Sequence, residues 1–597
     1  MLSFGGGKRN GEVAVWHAHL AAALLSLSAL EGAARDAPTA PPMAHLPDSV
    51  AAWAGGAQLL AGLGDFHRGV STTSALAQQY FDQGMRLLWA FNHDEATRSF
   101  AKAAALDPGC AACYWGAALT VGPNYNIPSM SAVRAAVAWE ALQQARQHAA
   151  GASTVEQALI EALTARYPGP QPLAGEELTS VLSAYATAMR AVAARFPDDD
   201  DVQTLCAEAQ MNVHAWKLWR ADGEPAPGTL DIAARLEAVL RRDPRHPGAN
   251  HYYIHVMEAS PHPEAALAAA ERLRGLMPAA GHLEHMPAHI MQRVGRYEDA
   301  AEANRRGVAA DEAYLGVAKP PDYYLMYLAH NYAFLAYAAA MEGRKAETLA
   351  AVQGVVHALP PEAELAMGGS GWNLTQQYAA LVRFGLWDEM IALSPPDPRA
   401  KGLLAGYLYG RGVALAARGR TDEAQSALTA LRSLGAQTPE EPLASVLRVA
   451  EPVVAARIAA TEERRDVAIA LLTQAVAAED RLPYNEPADW FFPVRHLLGA
   501  QLLIAGKPAA AERVYREDLR RNPANGWALY GLAAALRAQH RPHAAAQVTN
   551  EFSASWRHAD VRLVASAFWF AGPDTTHCEC QRQASSERQA RGELLGP

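Results

Sequence analysis

The sequence predicts an all-α protein, a long α-solenoid of antiparallel helix pairs, and three observations lead to that prediction. Alanine is abundant and runs of β-branched residues are scarce, which favours helix along the chain. Similar segments return every 34 residues, as in the neighbouring windows 247–280 and 281–314. Small, aromatic and proline residues take fixed positions in that period, as expected where two helices pack closely and a proline ends the second.

The clearest repeat begins near residue 77 and sets the spacing for the others. Its characteristic positions are occupied by Gly84, Ala96, Phe100, Ala103 and Pro108. The same set returns near the carboxyl end at Gly499, Ala511, Tyr515 and Pro523. Intervals rich in glycine and proline, such as 216–229, indicate loops that interrupt the repeats. We therefore predict one solenoid over residues 74–571.

The amino-terminal segment has the features of an export signal. Lys8 and Arg9 precede an apolar stretch, and small residues follow up to Ala34. We expect a signal peptide over residues 1–34 and a periplasmic or extracellular protein without a membrane span after signal removal. The alternatives are an uncleaved anchor, or a frayed helix in a cytoplasmic protein. Residues 35–73 are expected to be a flexible segment, and residues 572–597 a disordered tail.

Composition and cysteine content restrict the class of protein further. Half of the residues are hydrophobic and 19% are charged, so the chain can form an ample core. The net charge of −10, without a dense basic block, argues against nucleic acid as a partner. In an exported protein, Cys110 and Cys113 would form a disulfide or a redox pair; small buried thiols at a helix start are the alternative.

Histidines occupy equivalent positions in the two windows. His251 and His255 lie at positions 5 and 9 of the first, and His285 and His289 at positions 5 and 9 of the second. Glu258 follows at position 12 of the first window, and His282 lies at position 2 of the second. Because steps of three and four residues share one helical face, these side chains form a polar stripe on neighbouring helices.

The 34-residue period resembles that of tetratricopeptide repeats (TPR). Several segments also resemble a largely uncharacterised subfamily of bacterial TPR proteins, namely CYWG at 113–116, HYYIH at 251–255 and GHLEHMPAHI at 281–290. The resemblance implies a TPR-type superhelix over nearly the whole chain after residue 74. It also implies that positions 2, 5, 9 and 12 of each first helix face the concave surface. It implies no particular reaction.

The stripe predicts a metal site. Each histidine pair can chelate one ion, and packed helices lie close enough for both pairs to reach the same ion. We name His251, His255, His282, His285 and His289 as ligands of a transition metal, with Glu258 as a further ligand or a general base. Imidazole ligands favour copper or zinc, with iron also compatible, over calcium or magnesium. The alternative is a metal-free polar groove.

Other polar residues are predicted to face the same concavity and to bind a small molecule or peptide. They are Arg293, Asn331, Glu486, Trp490, Arg495 and His496. Trp490 and Arg495 could hold an organic ligand by stacking and ion pairing, or they could belong to a loop that caps the solenoid.

Two functions remain open at this point. The first is an exported TPR protein with a transition metal in its concave face, and as an enzyme it would be metal-dependent, an oxidoreductase rather than a hydrolase. The second is a metal-free scaffold that binds a peptide or protein partner in the groove. The histidine density supports the first, and the usual role of helical-repeat arrays supports the second.

Overall fold

Antiparallel helix pairs form almost all of the described chain, as the period predicts. The computed structural model describes residues 46–570 except 319, 321–323, 367–371 and 440, so the predicted signal peptide and carboxyl-terminal tail lie outside the described residues. The amino-terminal helices are α1 Val50–Trp53, α2 Ala75–Trp89, α3 His93–Leu106, α4 Ala111–Val121, α5 Ala132–His148, α6 Thr154–Leu163, α7 Gly175–Arg195, α8 Asp200–Met211 and α9 Thr229–Arg242.

Seven helices form the middle of the solenoid. They are α10 Pro247–Met257, α11 Leu267–Leu273, α12 Gly281–His285, α13 Pro287–Arg293, α14 Tyr297–Val317, α15 Tyr324–Met341 and α16 Lys345–Ala358. The remaining helices are α17 Pro361–Ala366, α18 Gln376–Arg383, α19 Trp387–Ala392, α20 Lys401–Ala417, α21 Thr421–Ala436, α22 Leu443–Thr461, α23 Arg465–Glu479, α24 Val494–Ile504, α25 Pro508–Arg521, α26 Gly526–Ala538 and α27 Pro542–Ser555. Within the described ranges no helix is both long and apolar enough to cross a lipid bilayer.

The repeat positions pack as the sequence predicts. The ring of Phe100 lies between Gly84 of its own repeat and Gly116 of the next, and a Cβ added at either glycine would come within 2.6 or 2.5 Å of that ring. Tyr515 lies in the same way between Gly499 and Gly531, and a Cβ added at these glycines would come within 2.3 and 2.2 Å of its ring. A glycine on each side therefore makes room for one large aromatic between successive repeats, and the TPR-type α-solenoid is confirmed.

Residues 46–73 are held against the solenoid, whereas the sequence predicts a flexible segment there. Arg68 donates to both carboxylate oxygens of Asp199 at 2.9 Å and to Asp201 at 2.6 Å. The amide of Ala279 donates to the carbonyl of Gly62 at 3.0 Å. The loop-forming composition of this segment lowers its helix content, but its side chains and backbone still find partners on the repeats.

The carboxyl-terminal helix pair returns to the middle of the chain. The indole of Trp527 in α26 donates to the carbonyl of Ala340 in α15 at 2.9 Å. The carboxylate of Asp560 accepts from the amides of Lys345 and Ala346, at 2.6 and 2.8 Å, at the start of α16. In an open solenoid each repeat contacts only its sequence neighbours. This return is therefore a departure from the simple array that the period predicts.

Candidate metal centre

Helices α10, α12 and α13 place the predicted histidines in the interior. Pro247 occupies the first turn of α10, where its missing N–H costs nothing, and the preceding His246 side chain accepts from the Ala249 amide. His251 and His255 then lie one turn apart on α10, and both are buried. The following first helix is divided at Pro287 into α12 and α13, which carry the other three predicted ligands.

His251 has a fixed tautomer. Its Nδ1 lies 2.6 Å from the carbonyl oxygen of Trp89. A carbonyl can only accept, so Nδ1 carries the hydrogen and Nε2 keeps a free lone pair. That Nε2 lies 3.1 Å from Nε2 of His282, whose Nδ1 is buried without a hydrogen-bond partner in the described chain.

His285 has a fixed tautomer as well. Its Nδ1 donates to Oδ1 of Asn304 at 2.7 Å, and the Asn304 amide nitrogen donates to the Ala300 carbonyl, which sets the orientation of the amide. Nδ1 of His289 lies 2.7 Å from a carboxyl oxygen of Glu258 and donates to it when that carboxyl is ionised. In that state both Nε2 atoms carry lone pairs, and they lie only 2.6 Å apart. Two lone pairs at this distance repel each other unless the two nitrogens share a hydrogen or move apart to bind a common cation.

Glu258 links the two helices through both of its oxygens. One oxygen lies 3.0 Å from Nδ1 of His255 and the other 2.7 Å from Nδ1 of His289, and an ionised Glu258 accepts from both rings. Nε2 of His255 is left buried and without a hydrogen-bond partner among the described residues. Glu258 thus orients two imidazoles so that their Nε2 atoms are available, which is the arrangement that metal-binding histidines have in proteins.

Burial sets the charge of the cluster. It lowers the pKa of His255 to about 3, so this ring is neutral near pH 7. Burial, and then the nearby charge of Glu486, raises the pKa of Glu258 to about 8. Burial also raises the pKa of Glu486 well above its ordinary value. Neutral imidazoles offer lone pairs, and crowded carboxylates are stabilised by a cation.

Glu486 reaches the cluster from a distant part of the chain. It lies in the loop between α23 and α24, and its carboxylate contacts Nδ1 of His289, the nitrogen that also bonds Glu258. A second contact steadies the same loop, where the Arg293 guanidinium stacks on Tyr484 at 5.1 Å. The sequence predicts Glu486 as a ligand-binding residue, and the structure places it beside the predicted metal ligands.

His330 belongs to the cluster, although the regular 34-residue spacing does not identify it as a ligand. Its ring on α15 lies 4.8 Å from that of His285 and 5.9 Å from that of His289, centroid to centroid. It occupies the repeat position of His282, which it follows by 48 residues rather than 34, because α14 extends to Val317 before the next first helix begins. Only a pattern that allows this longer connection places His330 at position 2 of its repeat.

The ligand atoms form two separate groups of three. In each group, one atom from every side chain lies within 4.8 Å of the other two. The first trio is His251, His255 and His282, and the second trio is His285, His289 and His330. A further group, His255, Glu258 and His289, overlaps both trios.

A central cavity of about 290 Å³ lies against this cluster. His255, His282, His289, His330 and Glu486 form one wall. Other lining residues are Trp216, Tyr327, Phe491, Asn126, Asn485 and Asp489. Among the described residues that line it, none is lysine or arginine. The cavity therefore combines imidazoles, carboxyl groups and aromatic rings, and it has room for a small molecule beside the histidines.

Two of the predicted ligand-binding residues have partners beside the cluster. Arg293 donates to the backbone carbonyls of Glu258 and Ser260, so it fixes the end of α10. Asn331 donates to a buried carboxylate oxygen of Asp311 at 2.8 Å.

The other three lie with the carboxyl-terminal helices. Arg495 forms a bidentate pair with Asp480 at 2.8 and 2.7 Å, and the ring of Trp490 packs edge-on against Tyr409 at 5.0 Å. His496 lies between Asp518 and Arg383, at 2.9 and 3.0 Å. None of these three lines the central cavity as described. Their contacts join helices rather than complete the site.

Cys110 and Cys113 form a disulfide at the start of α4. Both residues are fully buried, and the sulfur of Cys110 accepts from the Cys113 amide in the first turn of the helix. The pair is therefore bonded, which agrees with both interpretations that the sequence leaves open for an exported chain, a structural disulfide and the oxidised form of a redox pair.

Fold and site together define a helical-repeat protein with a histidine- and carboxylate-lined interior. No protein-family model matches the sequence, and no curated protein is significantly similar to it. Similar solved structures are those of TPR proteins. Yeast Tom70 is 12% identical, with 87% of this chain and 97% of that chain covered and a TM-score of 0.28.

Two further structures are similar at the same low level. The TPR domain of P58(IPK) is 14% identical, with 62% of this chain and 96% of that chain covered and a TM-score of 0.18. Cut9, solved in the APC/C hetero-tetramer Cut9-Hcn1, is 14% identical, with 81% of this chain and 94% of that chain covered and a TM-score of 0.25. TM-scores this low say nothing about the partners or the activity of this chain.

Proposed function

We propose that this chain is a TPR-type protein that binds a transition metal through its interior histidine cluster. One observation carries the proposal. Nδ1 of His251 contacts the Trp89 carbonyl, Nδ1 of His285 contacts Asn304, and Nδ1 of both His255 and His289 contacts Glu258, so the Nε2 atoms of all four rings lie together in one buried region. Rings that are oriented at Nδ1 by oxygen atoms and that gather their Nε2 atoms are typical of metal-binding histidines.

The donor set favours copper or zinc, with iron also compatible. Imidazole nitrogen suits these metals, and the nearby carboxyl group of Glu486 offers oxygen, which zinc and iron also accept. With the central cavity beside it, the metal would be open to a small organic or peptide ligand. An enzyme built on this site would use the metal as a Lewis acid or redox centre.

Export is part of the same proposal. The features of residues 1–34 support it, and a buried disulfide such as Cys110–Cys113 is typical of proteins that fold in an oxidising compartment. Membership of the bacterial TPR subfamily with the CYWG, HYYIH and GHLEHMPAHI segments is likewise proposed from those residues.

The second candidate function is a metal-free scaffold that binds a peptide or protein. The fold favours it, because helical-repeat arrays present extended surfaces that serve as binding faces. In this case the histidines would only shape the interior. His251 and His285 are completely buried, so neither of these two rings would contact the partner.

Metal analysis separates the two candidates. The tag-free protein, purified and then incubated with Cu²⁺ or Zn²⁺ and desalted, should retain at least one equivalent of metal. The double variant His255→Ala/His289→Ala should retain none while keeping its helical circular dichroism. The control is His262→Ala, whose side chain is 74% exposed in a loop, and it should retain as much metal as the parent. A parent protein that stays metal-free supports the scaffold instead.

A further inference from the structure

We infer that the cluster is a two-ion centre, in which the first trio and the second trio each bind one metal ion. The inference rests on the proposed metal-binding function and adds the number of ions, their ligands and the role of Glu258. It also assigns His330 as a ligand, which completes the second trio.

The first argument is geometric. The trios share no residue, and within each one the ligand atoms lie within 4.8 Å of one another. In the first trio, the Nε2 atoms of His251 and His282 are 3.1 Å apart. Two nitrogens bound tetrahedrally to one ion at about 2.1 Å are separated by roughly 3.4 Å. These two rings are therefore close to the spacing of ligands of a common ion. In the second trio the Nε2 atoms of His285 and His289 are 2.6 Å apart, and they would separate by about 0.8 Å to bind one ion.

The second argument concerns hydrogen bonds. Ions bound at the Nε2 atoms leave the Nδ1–H···O contacts intact. These include the bond of His251 to the Trp89 carbonyl and the bond of His285 to the Asn304 amide oxygen. A single ion in the overlapping group of His255, Glu258 and His289 would have to displace the two Nδ1–H···O bonds to Glu258. It would also leave four Nε2 lone pairs unused. Two ions satisfy more of the buried polar atoms.

Glu258 connects the two ions. Its two carboxylate oxygens accept from His255 in the first trio and from His289 in the second, so one side chain orients a ligand of each ion. The trios are adjacent, since the rings of His255 and His289 are 5.8 Å apart and those of His282 and His285 are 5.9 Å apart. Glu258 is thus a positioning residue rather than a ligand or a general base.

Metal stoichiometry of single variants tests the inference. His282 and His330 are the best positions, because among the described residues neither ring has an Nδ1–H···O contact like those that hold the other four rings. The full chain, titrated with Cu²⁺ and desalted, should retain two equivalents. His282→Ala and His330→Ala should each retain one, and the combined variant should retain none. His282→Gln and His330→Gln serve as second variants if an alanine variant loses helical circular dichroism.

Electron paramagnetic resonance gives an independent measurement on the same samples. Two Cu²⁺ ions in adjacent trios couple magnetically, so the parent should show much less than two spins, whereas each single variant should show one isolated Cu²⁺. One equivalent in the parent, lost by Glu258→Gln but unaffected by His330→Ala, would overturn the two-ion centre and leave the proposed function standing. A parent that retains no metal would overturn both.

Discussion

The Nε2 atoms of His285 and His289 face each other at 2.6 Å, and neither can carry the hydrogen while both Nδ1 atoms donate to oxygen. Burial lowers the pKa of both rings, which disfavours a shared proton as the bridging cation. In the proposed metal site, an ion bound by both rings would remove this repulsion without adding a proton to a buried ring. The proposal therefore implies that the stability of the interior depends on metal binding.

Metal removal should lower the free energy of unfolding. At a free metal concentration of 100 times Kd, binding to the native state alone contributes about 2.7 kcal/mol. Urea unfolding of the Cu²⁺- or Zn²⁺-loaded protein, before and after treatment with a chelator, measures the difference. The double variant His255→Ala/His289→Ala, which removes one ligand from each trio, is the matched control, and its midpoint should respond much less to chelator. Identical midpoints for loaded and chelated parent protein would contradict the prediction.

Asn304 should control metal affinity although it does not touch the metal. Its Oδ1 accepts the Nδ1 hydrogen of His285, so Asn304→Leu removes the group that fixes this tautomer. We expect metal affinity to fall by about 10- to 100-fold. Asn304→Asp keeps an oxygen acceptor at the same place and should restore most of the affinity. Isothermal titration with Zn²⁺ measures both, and equal losses in the two variants would show that only packing at this position matters.

The period of the sequence predicts local packing well and distant contacts poorly. It places Phe100 between glycines, and it puts four histidines on one stripe, because both features repeat within a few turns of helix. It does not place Glu486 against His289, because that contact depends on the return of the carboxyl-terminal helices. Nothing in a 34-residue pattern specifies which distant repeats meet.

Arg68 should anchor the segment over residues 46–73. Its side chain is only 11% exposed and pairs with Asp199 and Asp201, so Arg68→Ala leaves two carboxylates without their cation. We expect a loss of roughly 1–3 kcal/mol, less than for a fully buried pair, and faster proteolytic cleavage within 46–73. Arg399→Ala removes an exposed ion pair with Asp397 and should change neither the stability nor the rate of cleavage within 46–73. Unchanged cleavage in Arg68→Ala would show that other contacts are sufficient.

Trp527 should hold the carboxyl-terminal return in place. Its indole is completely buried, donates to the Ala340 carbonyl and lies 3.7 Å beneath the Arg383 guanidinium. Trp527→Ala should destabilise the protein by about 3–5 kcal/mol and increase hydrogen exchange in the loop that carries Glu486. Phe100→Ala, a similar truncation in the amino-terminal repeats, should destabilise without that local increase. Equal exchange of the loop in both variants would contradict the role of Trp527.

Asp311 should make the stability of the protein fall as the pH rises. Burial raises the pKa of its carboxyl to about 7, although the Tyr324 hydroxyl and the Asn331 amide donate to it. The carboxyl is therefore protonated in the folded state and ionised in the unfolded state between about pH 4 and pH 7. In that range the folded state binds one more proton, so the free energy of unfolding decreases with rising pH by about 1.4 kcal/mol per unit from this group.

Asp311→Asn removes this titration and keeps the shape of the side chain. The Oδ1 of Asn331 has no hydrogen-bond partner among the described residues, so a turned Asn331 amide can accept from the new side chain. Between pH 5 and pH 7 the variant should gain on the order of 2 kcal/mol relative to the parent, because only the parent loses the contribution of the protonated carboxyl. Urea unfolding of both chelated proteins at pH 5, 6, 7 and 8 measures the difference. Parallel pH profiles would mean that Asp311 is ionised in the folded protein, and a variant that gains stability toward acid would reverse the expected sign.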